Sequence, residues 1–377
     1  MNQSPLRKGK KKMWVLLLAV FFCLAALVCI ILPPSLGVIK PFPDENGQQS
    51  EGSISEKVYV EINGVKQGMF IRGKDKTKPV LLLVHGGPGM SDYFLSKEYP
   101  TGIDNEFVVC YWEQRGTGLS YSADIDPETM TTEQFVSDVI EVTNYLRNRF
   151  GQDKIYLMGH SWGTYLSLKT VAQSPELYHA YIAMSQVVNQ PESEKLAYSY
   201  MLAEYKASGN EKMVKKLEKY PIINSDEAFL QYRKSTLRDE AMHDLGVGTM
   251  HKMKSVINGI FLASLRCTDY TPMERINIWR GKVFSSNTVL QDELYAFHAS
   301  AEIPAIDIPV YFFAGIYDYT CCYSLQKQYF ERIQAPLKGF YTFERSAHSP
   351  LFEEPEEAMK IFREDVLTGK VNLKDEQ

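Results

Sequence analysis

The sequence predicts an α/β fold in which helices cover both faces of a mostly parallel sheet. Short apolar runs such as Val80–Val84 are typical of central strands that are buried on both faces. Helical patterns lie between successive runs, and this alternation is what builds a parallel sheet. Asn63-Gly64, set between two strand-like runs, indicates a hairpin before the first parallel strand.

The predicted strands leave room for one long helical insertion. In order, they are residues 58–62, 69–72, 80–84, 107–112, 154–158, 181–184, 310–314 and 340–343. After the sixth strand, helical patterns continue until the seventh. We therefore expect a core of residues 56–185 and 304–377, with a helical cap, residues 186–303, inserted after the sixth core strand. Such a cap would cover the site and select its substrate.

Gly159-His160-Ser161-Trp162-Gly163 stands between a predicted strand and a predicted helix. In that setting, the G-x-S-x-G pattern is typical of a tight turn that exposes a nucleophilic serine, with flanking glycines relieving the crowding. Asp318 and His348 follow later, each after a predicted strand. A histidine can take the serine proton, and an aspartate can orient that histidine. The order Ser161, Asp318, His348 predicts a serine hydrolase.

His85-Gly86-Gly87-Pro88-Gly89 comes directly after the Val80–Val84 strand. A glycine-rich turn there can bring backbone N–H groups close to a developing oxyanion. We assign the two oxyanion donors to the N–H groups of Gly87 and Trp162. The alternative is a glycine-rich turn without a role. The pattern of a nucleotide-phosphate loop, G-x-x-x-x-G-K-[ST], is absent from the sequence.

Four motifs together resemble the prolyl aminopeptidase (proline iminopeptidase) group of α/β hydrolases. They are H-G-G-P-G at 85–89, E-Q-R-G-T-G-L-S at 113–120, G-H-S-W-G at 159–163, and the late Asp318 and His348. The resemblance implies an α/β-hydrolase fold and the release of an N-terminal residue, often proline, from a peptide without any cofactor. Carried onto this chain, it makes Ser161, Asp318 and His348 the triad and gives Gly87 and Trp162 the oxyanion hole.

The chain departs from that group in two places. Glu113 stands where the family usually has aspartate, in a motif expected to brace the loop beside the site. The family also binds the free amino terminus through acidic residues of its cap, and none here can be matched by position. The candidates, each of which has a solvated helix charge as its alternative, are Glu192, Glu194, Glu204, Glu274 and Glu302.

Three functions therefore remain open at this stage. An aminopeptidase acting on short peptides is favoured by the motifs, and an esterase or amidase of small or lipid-like substrates would use the same triad. A non-catalytic surface protein on this scaffold would normally have lost a triad member. No histidine spacing suggests a metal site. Cys321-Cys322 lie close to Asp318 in sequence, where packing is a simpler role than redox chemistry.

The N-terminal segment predicts membrane attachment. Residues 1–12 carry five basic side chains, and residues 13–32 carry no charge and are long enough to span a bilayer as a helix. The positive-inside bias then places a basic tail in the cytoplasm and the catalytic domain outside the cell membrane, in a single-pass topology. A cleaved signal peptide is the alternative. Residues 33–55 are polar and rich in turn formers, so we expect a flexible linker.

Without its basic tail, the chain is strongly acidic. An acidic body argues against a nucleic-acid partner, which would require a basic surface.

Overall fold

The computed structural model describes Trp14, Leu17, Leu18 and residues 29–376. Within this part of the chain, eight strands form one sheet in the order β1-β2-β4-β3-β5-β6-β7-β8. The strands are β1 (Ile54–Ile62), β2 (Val65–Gly73), β3 (Val80–Val84), β4 (Val108–Trp112), β5 (Ile155–His160), β6 (Tyr178–Met184), β7 (Val310–Gly315) and β8 (Lys338–Phe343). β1 and β2 pair antiparallel with their neighbours, and every pair from β4 to β8 is parallel. The predicted, mostly parallel sheet is confirmed.

Helices lie between the strands and after them. Those of the core are α1 (Tyr93–Glu98), α2 (Thr132–Phe150), α3 (Trp162–Gln173), α12 (Tyr323–Arg332), α13 (Pro350–Glu353) and α14 (Pro355–Ile361). Those between β6 and β7 are α4 (Gln190–Ala207), α5 (Glu211–Leu217), α6 (Asp226–Arg233), α7 (Leu237–Leu245), α8 (Leu262–Arg266), α9 (Pro272–Ser286), α10 (Leu290–Ala296) and α11 (Ala299–Glu302). This second group is called the cap below.

Local sequence signals account for the ends of several elements. Asn63 and Gly64 both adopt positive φ, 46° and 74°, which is the geometry that a tight two-residue hairpin requires. Thr131 begins α2 by accepting a hydrogen bond from the Gln134 N–H at 3.3 Å. Gly151, with φ of 63°, ends the same helix in the left-handed conformation.

The two halves of the cap bury their apolar side chains differently. Helices α4 to α7 share a hydrophobic cluster of their own, which includes Tyr198, Met201 and Tyr232. The following part, which contains α8 and α9, packs Tyr270 and Ile278 into the same cluster as sheet residues. Only the second half of the cap is therefore continuous with the core of the sheet.

Residues 33–55, predicted as a flexible linker, contact the rest of the protein at several points. Arg275 of α9 donates to the Pro33 carbonyl oxygen at 2.6 Å. The Arg72 guanidinium lies 4.4 Å from the ring centroid of Phe42. β1 begins at Ile54, inside this predicted linker.

The prediction of a transmembrane helix is wrong. Across Trp14, Leu17, Leu18 and residues 29–376, no helix has the length and apolar character needed to cross a bilayer, for which about 20 consecutive residues are required. This finding also overturns the cell-membrane location, the cytoplasmic N-terminus and the extracytoplasmic catalytic domain derived from that helix. Most of the predicted span, residues 13–32, and the whole predicted basic tail, residues 1–12, lie outside the described residues.

A buried ion pair joins α2 to the loop after β4. The Arg115 guanidinium donates to both carboxylate oxygens of Asp138, at 2.9 and 3.0 Å, and both side chains are almost fully buried. The amides of Asn63, Gln67 and Gln134 donate to the same carboxylate at 2.8 to 2.9 Å. Asp138 therefore fastens the hairpin, the helix and the 113–120 motif to one another.

We expect Asp138→Ala to lower the free energy of unfolding by about 3–5 kcal/mol, because it leaves the buried Arg115 cation without a partner. Urea denaturation measures this change. Asp153→Ala, which removes an exposed carboxylate near the start of β5, is the control and should shift the midpoint little. Equal effects of the two substitutions would contradict the role given to Asp138.

Candidate active site

Ser161 occupies the turn between β5 and α3. Its φ of 54° and ψ of −122° are values that few residues with a side chain adopt. A β-carbon at Gly159 would lie 2.6 Å from the Gly163 carbonyl oxygen, and one at Gly163 would collide with the carbonyl oxygen of Val84 in β3. Glycine is therefore required on both sides of Ser161, as the G-x-S-x-G pattern predicts. The serine is partly exposed.

Asp318 and His348 meet above the carboxyl end of β7. His348 Nδ1 lies 3.0 Å from each carboxylate oxygen of Asp318. The N–H groups of Thr320 and Cys321 donate to the carboxylate at 2.9 Å, and the Gln326 amide donates at 3.1 Å. These donors fix the carboxylate so that it holds the imidazole by Nδ1. The opposite nitrogen, Nε2, is then the one left for a reacting group.

His160 connects the serine turn to the loop that carries His348. Its Nε2 lies 3.0 Å from the backbone oxygen of His348, and its Nδ1 lies 2.9 Å from the Asp92 carboxylate. Burial acts to lower the pKa of His160, but the charge and hydrogen bond of Asp92 outweigh it, so the pKa is raised. Both ring nitrogens face acceptors, which only the imidazolium satisfies by donating from both. Ser185 Oγ also donates to the His348 oxygen, at 2.9 Å.

Sequence reasoning missed this support for His348. The available signal was His160, the second residue of G-H-S-W-G, because it adjoins the serine. Its carboxylate partner, Asp92, lies 68 positions away in the chain, so the sequence pattern does not indicate the pairing.

The 85–89 loop packs directly against the serine turn. A β-carbon at Gly86 would lie 3.3 Å from Cβ of Ser161. Gly87 has φ of 129°, a value open mainly to glycine. Gln114 holds the loop: its amide donates to the His85 oxygen at 2.7 Å and accepts from the Trp162 indole at 3.0 Å. One side chain thus joins the two segments predicted to supply the oxyanion donors.

His85 is neutral in this setting. Burial lowers its pKa to about 4, and its Nε2 accepts from the Gln114 N–H at 3.1 Å. Its Nδ1 lies 2.8 Å from the Gly86 oxygen, which places the single ring proton on Nδ1.

Glu113 braces the neighbouring loops, as expected for its motif. The carboxyl accepts hydrogen bonds from the hydroxyls of Ser91 and Tyr270 and from the N–H of Leu119. Burial raises the pKa of Glu113 to about 7, against the effect of these hydrogen bonds. The residue joins the core to Tyr270 of the cap.

The five cap carboxylates lie in different environments. Glu192 and Glu204 are exposed, and Glu302 pairs with Lys169 at 2.9 Å. Glu274 caps α9 and pairs with Lys57 at 2.9 Å. Glu194 differs from these, because it is buried beside the Asp318 loop.

Contacts on both sides fix the Glu194 carboxylate. It accepts from Arg238 at 2.6 Å and from the Gln190 amide at 3.0 Å, and the same amide donates to the Thr320 oxygen. Of the five candidates, this one is linked through Gln190 to the loop that carries Asp318.

Cys321 and Cys322 are buried next to α4. The Cys322 thiol lies 3.5 Å from the Ser193 oxygen, and burial raises the pKa of both thiols. Protonated, buried thiols are unreactive, which favours packing as their role. Among the residues that the structure describes, no group of three or more His, Cys, Asp or Glu side chains is arranged to hold a metal ion.

An eight-stranded, mostly parallel sheet with a serine on a strand-to-helix turn defines a hydrolase of the α/β class, and residues 79–261 match the model of the α/β-hydrolase fold family. More particularly, the chain belongs to the proline iminopeptidase-like family of α/β hydrolases, as the four motifs indicated. It is 34% identical over 305 residues to the probable aminopeptidase YbaC of Bacillus subtilis, covering 80% of this chain and 93% of the relative.

A further relative and two solved structures are similar over most of the chain, the solved structures in fold. A proline iminopeptidase of Heyndrickxia coagulans is 24% identical over 284 residues, which cover 75% of this chain and 88% of that protein. The fold is similar to that of a proline iminopeptidase-related protein from Thermus thermophilus, with 20% identity, a TM-score of 0.53 and 82% and 96% of the two chains covered. It is also similar to that of the proline iminopeptidase of Mycobacterium smegmatis, with 15% identity, a TM-score of 0.56 and coverage of 81% and 96%.

We expect Glu113→Gln to make stability less dependent on pH. Between pH about 4.5 and about 7, the folded protein binds more protons at this raised carboxyl than the unfolded chain, so its contribution to stability falls as pH rises. Removing the Glu113 carboxyl should make the free energy of unfolding fall less steeply with rising pH, by up to about 1.4 kcal/mol per pH unit. Urea denaturation at pH 5, 6 and 7 tests this. Glu141→Gln, at an exposed site on α2, should retain the wild-type slope.

Proposed function

We propose that the protein is a serine exopeptidase that releases the N-terminal residue of short peptides through an acyl-enzyme on Ser161. The observation that carries the proposal is the convergence of three loops: Asp318 holds His348 by Nδ1, His160 holds the His348 backbone, and Ser161 is the next residue after His160. This arrangement supports the assignment of Ser161, Asp318 and His348 as a catalytic triad. Relatives named aminopeptidase and proline iminopeptidase support the substrate class.

The first half of the reaction forms the acyl-enzyme. His348 Nε2 takes the proton of Ser161 Oγ as that oxygen attacks the carbonyl carbon of the N-terminal residue. The carbonyl oxygen becomes an oxyanion, which accepts hydrogen bonds from the N–H groups of Gly87 and Trp162. His348 then gives its proton to the leaving amine as the C–N bond breaks. Asp318 stabilises the imidazolium throughout.

The second half restores the enzyme. Water attacks the acyl carbon while His348 Nε2 takes one of its protons, and the oxyanion forms again between the same two N–H groups. The bond between the acyl carbon and Ser161 Oγ breaks. His348 returns the proton to Ser161 Oγ, and the free amino acid leaves. Nucleophile, base and oxyanion donors all come from this chain.

The charged side chains at the cap favour a peptide over an apolar ester. Three charged side chains lie where the cap meets the core loops. Glu194 is linked through Gln190 to the loop that carries Asp318, and Arg238 pairs with Glu194. Lys282 contacts the 85–89 loop, called the oxyanion loop below. We assign the ammonium of a free N-terminus to the Glu194 carboxylate, which it would share with Arg238 and Gln190. A lipid-like ester would gain nothing from these charges, because their desolvation opposes binding of an apolar group.

We expect Ser161→Ala to reduce turnover by several orders of magnitude while leaving the fold intact, because no other group can form the acyl-enzyme. The assay pairs free-amine aminoacyl amides of Pro, Ala, Leu and Phe with their N-acetylated forms and with short-chain nitrophenyl esters. Activity on the free amines that is lost on acetylation is the expected result. Activity confined to esters would replace the exopeptidase with an esterase, and full activity of the Ser161→Ala variant would overturn the mechanism.

We expect Glu194→Gln to raise KM for free-amine substrates by about 10-fold or more, since a charge-assisted hydrogen bond to the ammonium is lost. Glu192→Gln, on the same helix but exposed, is the matched control and should behave like the wild type. Thermal unfolding of both variants separates a loss of binding from a loss of folding. If both substitutions give the same KM, Glu194 does not bind the ammonium.

A further inference from the structure

Helix α9 lies directly against the two loops that surround the serine turn. A β-carbon at Gly281 would collide with the carbonyl oxygen of Gly116, so the helix and the 113–120 motif are in backbone contact. One turn later, Ser285 lies so close to Gly89 that a β-carbon there would be 2.7 Å from its Oγ. The position of α9 relative to the oxyanion loop is therefore fixed by close packing.

Lys282 is held by this packing against the oxyanion loop. Its ammonium donates to the Pro88 carbonyl oxygen at 3.2 Å. Within residues 29–376, the ammonium belongs to no ion pair. Its charge also contributes to the lowered pKa of His85, the first residue of the loop. Lys282 is thus a partly buried cation beside the oxyanion loop, with two of its three N–H donors unused.

Among the described residues, no neighbouring carboxylate forms an ion pair with Lys282, although the charge of Asp239 acts on it from a distance. Arg238 is already paired, with Glu194 at 2.6 Å and with Asp239 at 3.0 Å. Burial lowers the pKa of Lys282, and the positive charge of Arg238 adds to this effect against the opposing charge of Asp239. A cation in such a position costs free energy until an anion reaches it. An arriving carboxylate would therefore bind Lys282 more strongly than an exposed lysine.

We propose that Lys282 binds a substrate carboxylate on the leaving-group side of the scissile bond, so that the preferred substrates are very short peptides whose own C-terminal carboxylate reaches it. This inference rests on the proposed exopeptidase function. Gln190, which donates to the Glu194 carboxylate, contacts the loop after β7, and Lys282 contacts the loop after β3, on opposite sides of β5 in the sheet. A negative and a positive group on either side of Ser161 match the two charged ends of a dipeptide.

The test compares three substrates whose leaving groups differ in where they carry a negative charge: Ala-Ala at its C-terminus, Ala-Asp amide on its side chain, and Ala-Ala amide nowhere. For the wild type, we expect kcat/KM to be higher for Ala-Ala than for its amide by about 10-fold or more, because the KM of Ala-Ala is lower. Lys282→Met should abolish that advantage. A high rate on Ala-Asp amide would mean that an acidic side chain, rather than the terminal carboxylate, is the group recognised.

Arg280→Met is the matched control, because Arg280 is an exposed cation on the same helix that contacts Asn277 and the Tyr121 ring. This variant should keep the preference for Ala-Ala. Equal wild-type rates on acid and amide, or a Lys282→Met variant that still prefers the acid, would overturn the proposal.

Binding to the Ser161→Ala variant separates this site from the proposed reaction. Calorimetry with Ala-Ala and its amide should show about 10-fold tighter binding of the acid, lost in the Ser161→Ala, Lys282→Met double variant. If that preference is present but the wild type cleaves no peptide, the carboxylate site stands and the exopeptidase function falls. If acid and amide bind alike, the carboxylate site is wrong whatever the enzyme cleaves.

Discussion

The tight turn at Ser161 is the constraint around which the catalytic end of the protein is built. Its positive φ is compatible with the fold because Gly159 and Gly163 leave space where side chains would collide with backbone, including that of β3. The same absence of side chains lets α3 approach the sheet closely. The first residue of that helix, Trp162, is joined by its indole to Gln114, which also holds the 85–89 loop. A single change at either glycine would disturb the serine turn and its packing against the sheet together.

Around this turn, polar side chains rather than apolar ones hold the loops in place. Gln114 bridges the His85 oxygen and the Trp162 indole, and His160 bridges Asp92 and the His348 backbone. Such directional contacts fix positions more narrowly than apolar packing does, because each requires a particular distance and angle. All of these groups are buried, so their hydrogen bonds face no competition from water. The loops around the serine turn are thereby held in fixed positions relative to one another.

The sequence was informative where structure depends on neighbouring residues. The strand Val80–Val84, the Asn63-Gly64 hairpin and the glycine-flanked serine all follow from local backbone rules, and each lies where the pattern indicated. The pairing of Asp92 with His160 and the choice of Glu194 among five cap carboxylates depend on how distant segments meet, which periodicity does not encode. The apolar run at 13–32 misled because composition alone does not establish a spanning helix.

The two clusters of the cap attach its two halves to the core by different kinds of contact. Lifting α9 would expose apolar side chains shared with the sheet and break the backbone contact at Gly281. Helices α4 to α7 instead share an apolar cluster of their own, and α4 joins the core through polar contacts such as those of Gln190 with the Thr320 oxygen and of Ser193 with the Cys322 N–H. Glu194 lies on the first half of the cap and Lys282 on the second. The first half is therefore attached to the core mainly by directional polar contacts, and the second half by apolar packing and backbone contact.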